Sequence, residues 1–238
     1  MLYIFFKRVF DLLFAVFGLV ITIPFWIIAI IGIEVSDPGP VFYMAKRVGK
    51  NDRIFRMYKF RSMRIAKEAN EKSFKADEDR IFAFGKFIRA TKIDELPQFL
   101  NILFGDMSIV GPRPASIDQT DIVRNGEFSI VSSVKCGLTG PSALYDYIYG
   151  DTIEDEDEYE KLVLPTRLKL DVFYVHRMSF CYDLKMVYYT VVCILSSVFK
   201  RKTPKIYEEL VSCVTEKEIR NSGENVETRK EESEKVLL

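Results

Sequence analysis

The sequence predicts a helix-rich α+β fold attached to a membrane, and three observations support this prediction. Residues 12–33 contain no charged side chain, residues 40–63 carry two β-favouring stretches around Gly-Lys-Asn-Asp, and apolar side chains recur at helical spacing in residues 96–103. A chain of 238 residues can bury one core. We therefore expect a membrane helix at residues 1–36, one main domain at residues 37–200 and a polar, partly disordered tail at residues 201–238.

The uncharged run at residues 12–33 is long enough to reach across a hydrocarbon core of about 30 Å as a helix, so we interpret it as a membrane segment. It is longer than the apolar core of a typical signal peptide, and no small-residue cleavage motif follows it. Pro24 lies near its middle, where a proline removes one backbone hydrogen bond and kinks or breaks a helix. Because basic residues flank both sides, two geometries remain open, a kinked single-pass anchor and a re-entrant hairpin.

A β-hairpin is predicted at residues 40–63, with Gly49, Asn51 and Asp52 supplying the turn. In its second strand Lys59 and Arg61 alternate with apolar side chains. Residues 43–64 hold eight basic residues and one acidic residue, whereas residues 151–160 are almost entirely acidic. Each cation alone is equally consistent with a solvated strand face, but several together beside a membrane segment indicate an anionic ligand or membrane surface.

Composition excludes several classes of protein. Lys plus Arg and Asp plus Glu each number 34, so the formal net charge of zero gives no indication of nucleic-acid binding. The four cysteines form no CxxC pair and accompany a single histidine, His176, which argues against a zinc site, a disulfide framework and Ser-His-Asp or Cys-His catalysis. We expect a reduced, cytosol-facing protein.

Residues 92–114 (KIDELPQFLNILFGDMSIVGPRP) combine two adjacent carboxylates with an amphipathic helix that is predicted to end at Gly105. Since proline is tolerated only in the first turn, Pro97 places Asp94 at or next to the helix N-cap. An aspartate there is commonly only a cap, contributing about 1 kcal/mol. The same helix end also attracts phosphate, particularly when Mg²⁺ bridges carboxylate and diphosphate.

Two arginines flank the acid pair. Arg113 is held between Pro112 and Pro114, which restrict the local backbone and preorganise its guanidinium. Arg89 stands five residues before Asp94, close enough to converge on the same ligand. A rigid arginine near an acid is suited to diphosphate recognition.

A series of motifs follows in a fixed order along roughly residues 6–195, and DELPQ followed by GDMSIVGPRP is the most specific of them. The other motifs are KRVFDLLFAV, Pro24 in the hydrophobic run, DPGPVFY, RVGKND, KFRSM, GLTG and LDVFYVHRMSFCYDLKMVYYTV. With these motifs the chain resembles the bacterial sugar transferase family, the monotopic phosphoglycosyl transferases. Members of this family move a phosphosugar from a UDP-sugar to polyprenyl phosphate, as the first membrane step of capsule, exopolysaccharide or other glycan assembly.

The resemblance implies a role for each matching residue. Asp94 matches the nucleophile that attacks the β-phosphate, releases UMP and holds the phosphosugar covalently until lipid phosphate displaces it. Glu95 matches the second acid, expected to position Asp94 or Mg²⁺, the implied cofactor, for which Asp94 is the predicted ligand. Consecutive helical side chains diverge by about 100°, so the two acids should not form one paired site. The remaining implied substrate-binding residues are Lys59, Arg61, Arg89 (phosphate), Arg113 (nucleotide) and Asp171.

The resemblance also implies a location. Pro24 becomes the bend of a re-entrant helix, and residues 37–200 become a catalytic domain on the cytoplasmic face of a bacterial inner membrane. Residues 166–199 are then interfacial amphipathic helices, with core burial as the alternative. The implied partners are a UDP-sugar, undecaprenyl phosphate and the bilayer, without nucleic acid, and exposed apolar surface could support a homodimer.

Three departures from the family pattern concern Ser62, where threonine is usual, Cys136, where proline is common, and residues 140–150 (GPSALYDYIYG). The last region is expected to face the sugar or lipid. The acid pair is unchanged, so the implied reaction stands. Two alternatives remain: a catalytically inactive membrane adaptor of the pathway, and a direct single-step transfer without a covalent intermediate.

Overall fold

The computed structural model describes residues 2–65, 78–199 and 201–222 of the chain. This part of the chain contains nine α-helices and five short strands, which confirms the predicted helix-rich α+β fold with a small sheet and an apolar N-terminal helix. The helices are α1 (Leu2–Ser36), α2 (Ala83–Ala90), α3 (Gln98–Phe104), α4 (Thr120–Val123), α5 (Pro141–Ile148), α6 (Glu156–Leu162), α7 (Leu164–Arg177), α8 (Phe180–Val198) and α9 (Pro204–Ser222). The strands are β1 (Phe42–Val48), β2 (Ile54–Phe60), β3 (Met107–Val110), β4 (Ala115–Ser116) and β5 (Cys136–Thr139).

Helix α1 continues through Pro24, so the predicted break at this residue is not observed. A proline removes one backbone hydrogen bond, and the bonds of the neighbouring turns together with packing on the domain maintain the helical course. This packing is close: a Cβ added at Gly18 would come within 2.7 Å of the Phe99 ring. The helix therefore lies against the domain at its middle as well as near its ends.

Charged side chains bind the N-terminal part of α1 to the domain. The Lys7 ammonium pairs with Asp183 of α8 at 2.7 Å and donates to the carbonyl of Val110 at 3.0 Å. One turn later the buried Asp11 carboxylate accepts a hydrogen bond from the Ile109 N–H at 2.9 Å. These contacts fix α1 against strand β3 and helix α8.

The predicted hairpin is present: β1 and β2 pair antiparallel from Phe42 opposite Phe60 to Val48 opposite Ile54. Its turn contains Asn51 in the left-handed region, with φ of 53°. Two further features were not predicted from the sequence. Strand β4 adds a third, two-residue strand beside β1, and β3 pairs in parallel with β5.

Helix α9 lies in the segment predicted as a polar tail, and for residues 204–214 this prediction needs correction. Ile206, Tyr207, Leu210 and Val214 are buried against the core, and the Tyr207 ring stacks on that of Tyr145 with centroids 5.8 Å apart. These apolar side chains recur at helical spacing, so burial against α5 and α7 orders the segment. Residues 223–238, also assigned to the tail, lie outside the described residues.

Among the described residues, two helices, α1 and α8, are long and apolar enough to cross a membrane. In the described structure α8 exposes one apolar stripe at a spacing of three or four residues, formed by Phe180, Leu184, Tyr188, Val191, Leu195 and Val198. Helix α7, by contrast, buries Leu168, Leu170 and Tyr174. Of the two helices in the predicted interfacial region, α7 belongs mainly to the core and α8 presents the apolar surface.

Candidate active site

The acid pair lies in a tight turn between α2 and α3. Lys92 adopts the left-handed conformation with φ of 57°, a 3₁₀ turn follows at Ile93–Glu95, and α3 begins only at Gln98. Asp94 forms no side-chain cap, so the predicted N-cap contact is absent. Only 3% of Asp94 is exposed, and its Oδ1 atom has no hydrogen-bond partner among the described residues. A buried carboxylate oxygen without a partner is costly, which argues against a purely structural role.

Buried Asn101 of α3 fixes the hairpin beside this turn. Its side chain accepts from the Tyr58 N–H at 2.9 Å and donates to the carbonyl of Arg56 at 2.7 Å, thereby satisfying the open edge of β2. Lys59, the next residue of β2, consequently reaches Glu95 and pairs with it at 3.1 Å. The strand and the acidic turn thus form one rigid unit.

The two carboxylates have opposite pKa shifts. Burial raises the pKa of Asp94, and the positive charge of Lys59 offsets only part of this effect. Burial also acts to raise the pKa of Glu95, but the charges of Lys59, Lys92 and Arg113 outweigh it and lower that pKa to about 2. Glu95 is therefore ionised at neutral pH, whereas Asp94 holds a proton more readily than an ordinary aspartate.

A cavity of about 280 Å³ lies next to this pair. Its charged side chains, which we call the charged wall, are Arg47, Lys59, Lys92, Glu95 and Arg113, and the rest of its lining is mostly apolar. Four cations with one anion leave an excess of positive charge, as expected for a site that binds a diphosphate. Asp94 adjoins this wall without lining the cavity in the described structure.

Arg113 is held in place from behind. Its guanidinium pairs with buried Asp146 of α5 at 3.2 Å, while 40% of its side chain remains exposed. Asp146 also accepts from the Tyr159 hydroxyl at 2.6 Å and lies 3.9 Å from Arg167. Burial acts to raise the pKa of Asp146, but the two guanidinium groups outweigh it and lower that pKa. An ionised Asp146 thus orients Arg113 toward the cavity.

Asp171 lies behind the Arg113 backbone and does not line the cavity. The buried carboxylate accepts from the Arg113 N–H at 3.3 Å and from the Ser142 hydroxyl. Burial raises its pKa to about 6. Asp171 therefore connects the backbone at Arg113 to the first turn of α5, which is a positioning role.

Arg61 is not brought to the cavity. Its buried guanidinium pairs with Asp37, which follows α1, and donates to the carbonyls of Asp37 and Pro40. Its side chain also lies over the Phe82 ring, 5.4 Å from the centroid. These contacts occupy all three guanidinium nitrogens, so Arg61 stabilises the junction between α1 and the hairpin.

Arg89 lies near the acid pair but outside the cavity lining. Its charge acts to lower the pKa of Asp94, and its guanidinium contacts the Met63 sulfur at 3.8 Å. The arrangement therefore brings Lys59, Glu95 and Arg113 together beside Asp94, places Arg89 nearby, and sets Arg61 and Asp171 apart.

Sequence reasoning did not single out Lys92, Asp146 or Tyr147. The Lys92 ammonium lies 4.5 Å from the centre of the Tyr147 ring, and both side chains line the cavity. The Tyr147 hydroxyl donates to the carbonyl of Ala90, which connects α5 to α2. Lys92 lies two residues before the acid pair, and a positive charge at that distance was an available signal.

The residues present fit the implied Mg²⁺. Within the described residues no group of three or more His, Cys, Asp or Glu side chains forms a complete metal cage. Mg²⁺ typically binds one or two carboxylates and takes its remaining ligands from substrate phosphates and water. The unpartnered Asp94 Oδ1, with Glu95 beside it, provides such a donor set.

The model of the bacterial sugar transferase family matches residues 2–197. The galactosyl transferase CpsE of Streptococcus agalactiae is 39% identical over 79% of this chain and 42% of its own length. The UDP-N-acetylgalactosamine-undecaprenyl-phosphate N-acetylgalactosaminephosphotransferase of Aeromonas hydrophila is 37% identical over 82% of this chain and 45% of its own length.

One shorter relative matches this chain over nearly all of the relative's own length. The uncharacterized sugar transferase EpsL of Bacillus subtilis is 35% identical over 85% of this chain and 94% of its own length. The chain thus spans less than half of the first two relatives and almost all of the third.

Proposed function

The chain belongs to the bacterial sugar transferase family, and from this premise we propose that it transfers a sugar phosphate from a UDP-sugar to undecaprenyl phosphate and releases UMP. The observation that carries the proposal is the buried Asp94 carboxylate, with one unpartnered oxygen, beside a cavity lined by four cations. The names of the relatives include transferases for galactose, glucose and N-acetylgalactosamine, so the proposal specifies the donor class and not one sugar.

Donor binding uses the charged wall of the cavity. The diphosphate lies among Lys59, Lys92 and Arg113, whose positive charges offset those of the phosphates. Because Lys59 is paired with Glu95, the donor phosphates compete with that carboxylate for the ammonium group. We propose that this competition opens the wall in front of Asp94, which is otherwise only 3% exposed.

In the first step an Asp94 carboxylate oxygen attacks the β-phosphorus of the donor. A bond forms between that oxygen and phosphorus, the bond from the β-phosphorus to the bridging oxygen breaks, and UMP leaves with the electron pair. Since no donor in the described structure binds the Asp94 Oδ1 lone pairs, they are available for the attack. The product is an aspartyl phosphosugar.

In the second step an oxygen of undecaprenyl phosphate attacks the same phosphorus. The bond between this phosphorus and Asp94 breaks and the carboxylate is regenerated. The product is undecaprenyl diphosphate with the sugar attached. Two sequential displacements allow one small site to serve first a soluble and then a lipid substrate. A ping-pong scheme therefore suits a cavity of about 280 Å³.

Glu95 acts beside the nucleophile and not as a second nucleophile. Its pKa of about 2 keeps it ionised, and it orients Lys59 through their ion pair. Asp94 and Glu95 would hold Mg²⁺ together with diphosphate oxygens, and the ion would supply positive charge opposite the phosphates.

We further propose that the protein is monotopic, with its catalytic domain on the cytoplasmic face of the inner membrane. A straight helix of 35 residues is about 50 Å long, and a spanning helix would place its two ends on opposite sides of the bilayer. Near one end of α1, Lys7 pairs with Asp183, and just beyond the other end Asp37 pairs with Arg61. Attachment of both ends of α1 to one domain keeps both ends on the same side of the bilayer, which supports a monotopic arrangement.

The first test measures UMP release by protein in nanodiscs with Mg²⁺, undecaprenyl phosphate and a panel of UDP-sugars. We expect one or a few sugars to release UMP, and Asp94→Asn to abolish the release. Asp118→Asn, which alters an exposed carboxylate far along the chain from the acid pair, is the matched control. If Asp94→Asn retains the wild-type rate, Asp94 is not the nucleophile. If no UDP-sugar releases UMP while Asp94→Asn preserves the cellular role, the adaptor alternative is correct.

A further inference from the structure

The cavity beside the acid pair has a second, apolar wall that the donor chemistry does not explain. Val187, Val191 and Ile194 of α8 form one side of it, and Phe14 of α1 and Leu138 of β5 contribute further apolar surface. The three α8 residues recur at spacings of three or four, so they share one helix face. A UDP-sugar is polar along most of its length and has no group that matches this wall.

The polar atoms within this wall are already satisfied. The Thr190 hydroxyl donates to the Met186 carbonyl at 2.8 Å and lies 2.5 Å from the Thr139 hydroxyl. Both threonines line the cavity, yet their hydrogen-bonding groups are directed at each other and at the backbone. The wall therefore presents methyl and aliphatic groups to a ligand.

The apolar wall is continuous with the exposed apolar stripe of α8. Val191 lines the cavity and is also 51% exposed, within the apolar stripe of α8. Helices α1 and α8 touch where the rings of Phe10 and Phe180 are 5.4 Å apart, and each lines the cavity further along its length. Helices α1 and α8 therefore both flank the cavity, and the exposed Val191 connects its apolar wall to the apolar stripe of α8.

We propose that this apolar wall binds the first isoprene units of the lipid acceptor, which enters sideways between α1 and α8 with its phosphate directed at Lys59 and Arg113. The cavity has charge at one wall and aliphatic groups at the other, which matches a prenyl phosphate in both respects. At about 280 Å³ it is at the small end of ligand pockets, so it holds the head group and the adjoining part of the chain. The rest of the prenyl chain stays in the bilayer. This inference rests on the proposed function, since it assigns the acceptor of that reaction.

Substitution at one position of α8 tests the assignment, with a matched control one turn away. Val191→Trp fills the apolar part of the cavity, whereas Leu195→Trp adds the same side chain at a position that is equally exposed, at 52%, but does not line the cavity. Two reactions are measured for each variant: donor cleavage without lipid, read as UMP release in a single turnover, and full transfer at varied undecaprenyl phosphate. Geranyl phosphate in detergent serves as a second acceptor, because it has the first isoprene units without a long membrane tail.

The proposal predicts that Val191→Trp raises the KM for both acceptors by about tenfold or more while single-turnover donor cleavage is retained. Leu195→Trp should leave both KM values within twofold of wild type. If Val191→Trp leaves both acceptor KM values unchanged, or if Leu195→Trp raises them equally, the apolar wall is not the acceptor site. Loss of donor cleavage in the wild-type protein would instead overturn the proposed function.

A second variant covers the case in which tryptophan at position 191 prevents folding. Ile194→Ala widens the same wall without adding bulk, and it removes contacts to the first isoprene unit. We expect it to raise the KM for geranyl phosphate about threefold to tenfold with donor cleavage retained. An unchanged KM for geranyl phosphate would contradict the assignment.

Discussion

Replacing Asp146 by asparagine tests whether the buried network behind Arg113 orients the site. The change keeps the side-chain shape but removes the negative charge that lies 3.2 Å from Arg113 and 3.9 Å from Arg167. Removing one partner of a fully buried ion pair typically costs about 3–5 kcal/mol. Because 40% of the Arg113 side chain is exposed, water compensates that guanidinium in part. We therefore expect Asp146→Asn to lower the free energy of unfolding by about 2–3 kcal/mol.

The same substitution should weaken donor binding. A hydrogen bond involving a charged group contributes about 1.5–3 kcal/mol, so a guanidinium that loses its fixed orientation should raise the KM for the UDP-sugar about tenfold or more. The control is Asp151→Asn, which removes a carboxylate that is 58% exposed and 3.6 Å from Lys92. That exposed pair should contribute less than about 1 kcal/mol.

Chemical unfolding in detergent and single-turnover UMP release measure these two effects. Because the pKa of Asp146 is lowered in the folded protein, its contribution is present above the unfolded pKa of about 4 and is lost as the pH falls through the lower, folded value. The stability gap between wild type and Asp146→Asn should accordingly shrink at acidic pH. A variant with wild-type stability and donor KM at pH 7 would refute the positioning role of Asp146.

Three further substitutions test other parts of the account. Because the pKa of Asp171 is raised to about 6, the stability that this residue contributes to the wild-type protein is present below pH 4 and is lost, by about 3 kcal/mol, as the pH rises through 6. Asp171→Asn lacks this titration, so the stability of the variant relative to wild type should rise by about 3 kcal/mol between pH 4 and pH 7.5. Unfolding curves that show the same pH dependence for both proteins would contradict this. Arg61→Ala should lower the free energy of unfolding by about 2–4 kcal/mol and leave the donor KM within twofold of wild type. Its control, Arg64→Ala, alters a side chain that is 63% exposed and should cost less than about 1 kcal/mol. A large rise in donor KM for Arg61→Ala would show that Arg61 binds the donor. Leu210→Ala should lower stability by about 2–5 kcal/mol because Leu210 of α9 is buried against the core, and an unfolding midpoint equal to that of wild type would show that α9 is not part of the fold.

Local sequence signals predicted much of the site. The turn residues Asn51 and Asp52 between β-favouring stretches defined the hairpin, and Pro97 limited where α3 begins. Prolines on both sides of Arg113 indicated a preorganised guanidinium, which lies at the cavity wall. In each case the signal is a backbone preference of a few neighbouring residues, which acts independently of the rest of the fold.

What the sequence did not predict depends on long-range partners. Lys59 and Arg61 look alike in the second strand, but Glu95 receives Lys59 at the cavity and Asp37 receives Arg61 at the end of α1. No local pattern distinguishes the two cations, because their counter-ions are far away in the chain. The parallel pair of β3 and β5 was missed for a related reason, since each strand has only four residues and is almost entirely buried, without the alternation that marks a half-exposed strand.

The central claim is that Asp94 carries the phosphosugar as a covalent intermediate, and the intact mass of the protein tests it most directly. The purified protein is incubated with Mg²⁺ and its UDP-sugar in the absence of lipid, and its mass is then measured beside that of Asp94→Asn. The account predicts that the wild-type mass increases by one sugar phosphate, that fragmentation places the addition on Asp94, and that the variant is unchanged. UMP release that requires undecaprenyl phosphate, without any mass increase beforehand, would contradict the account and support direct single-step transfer.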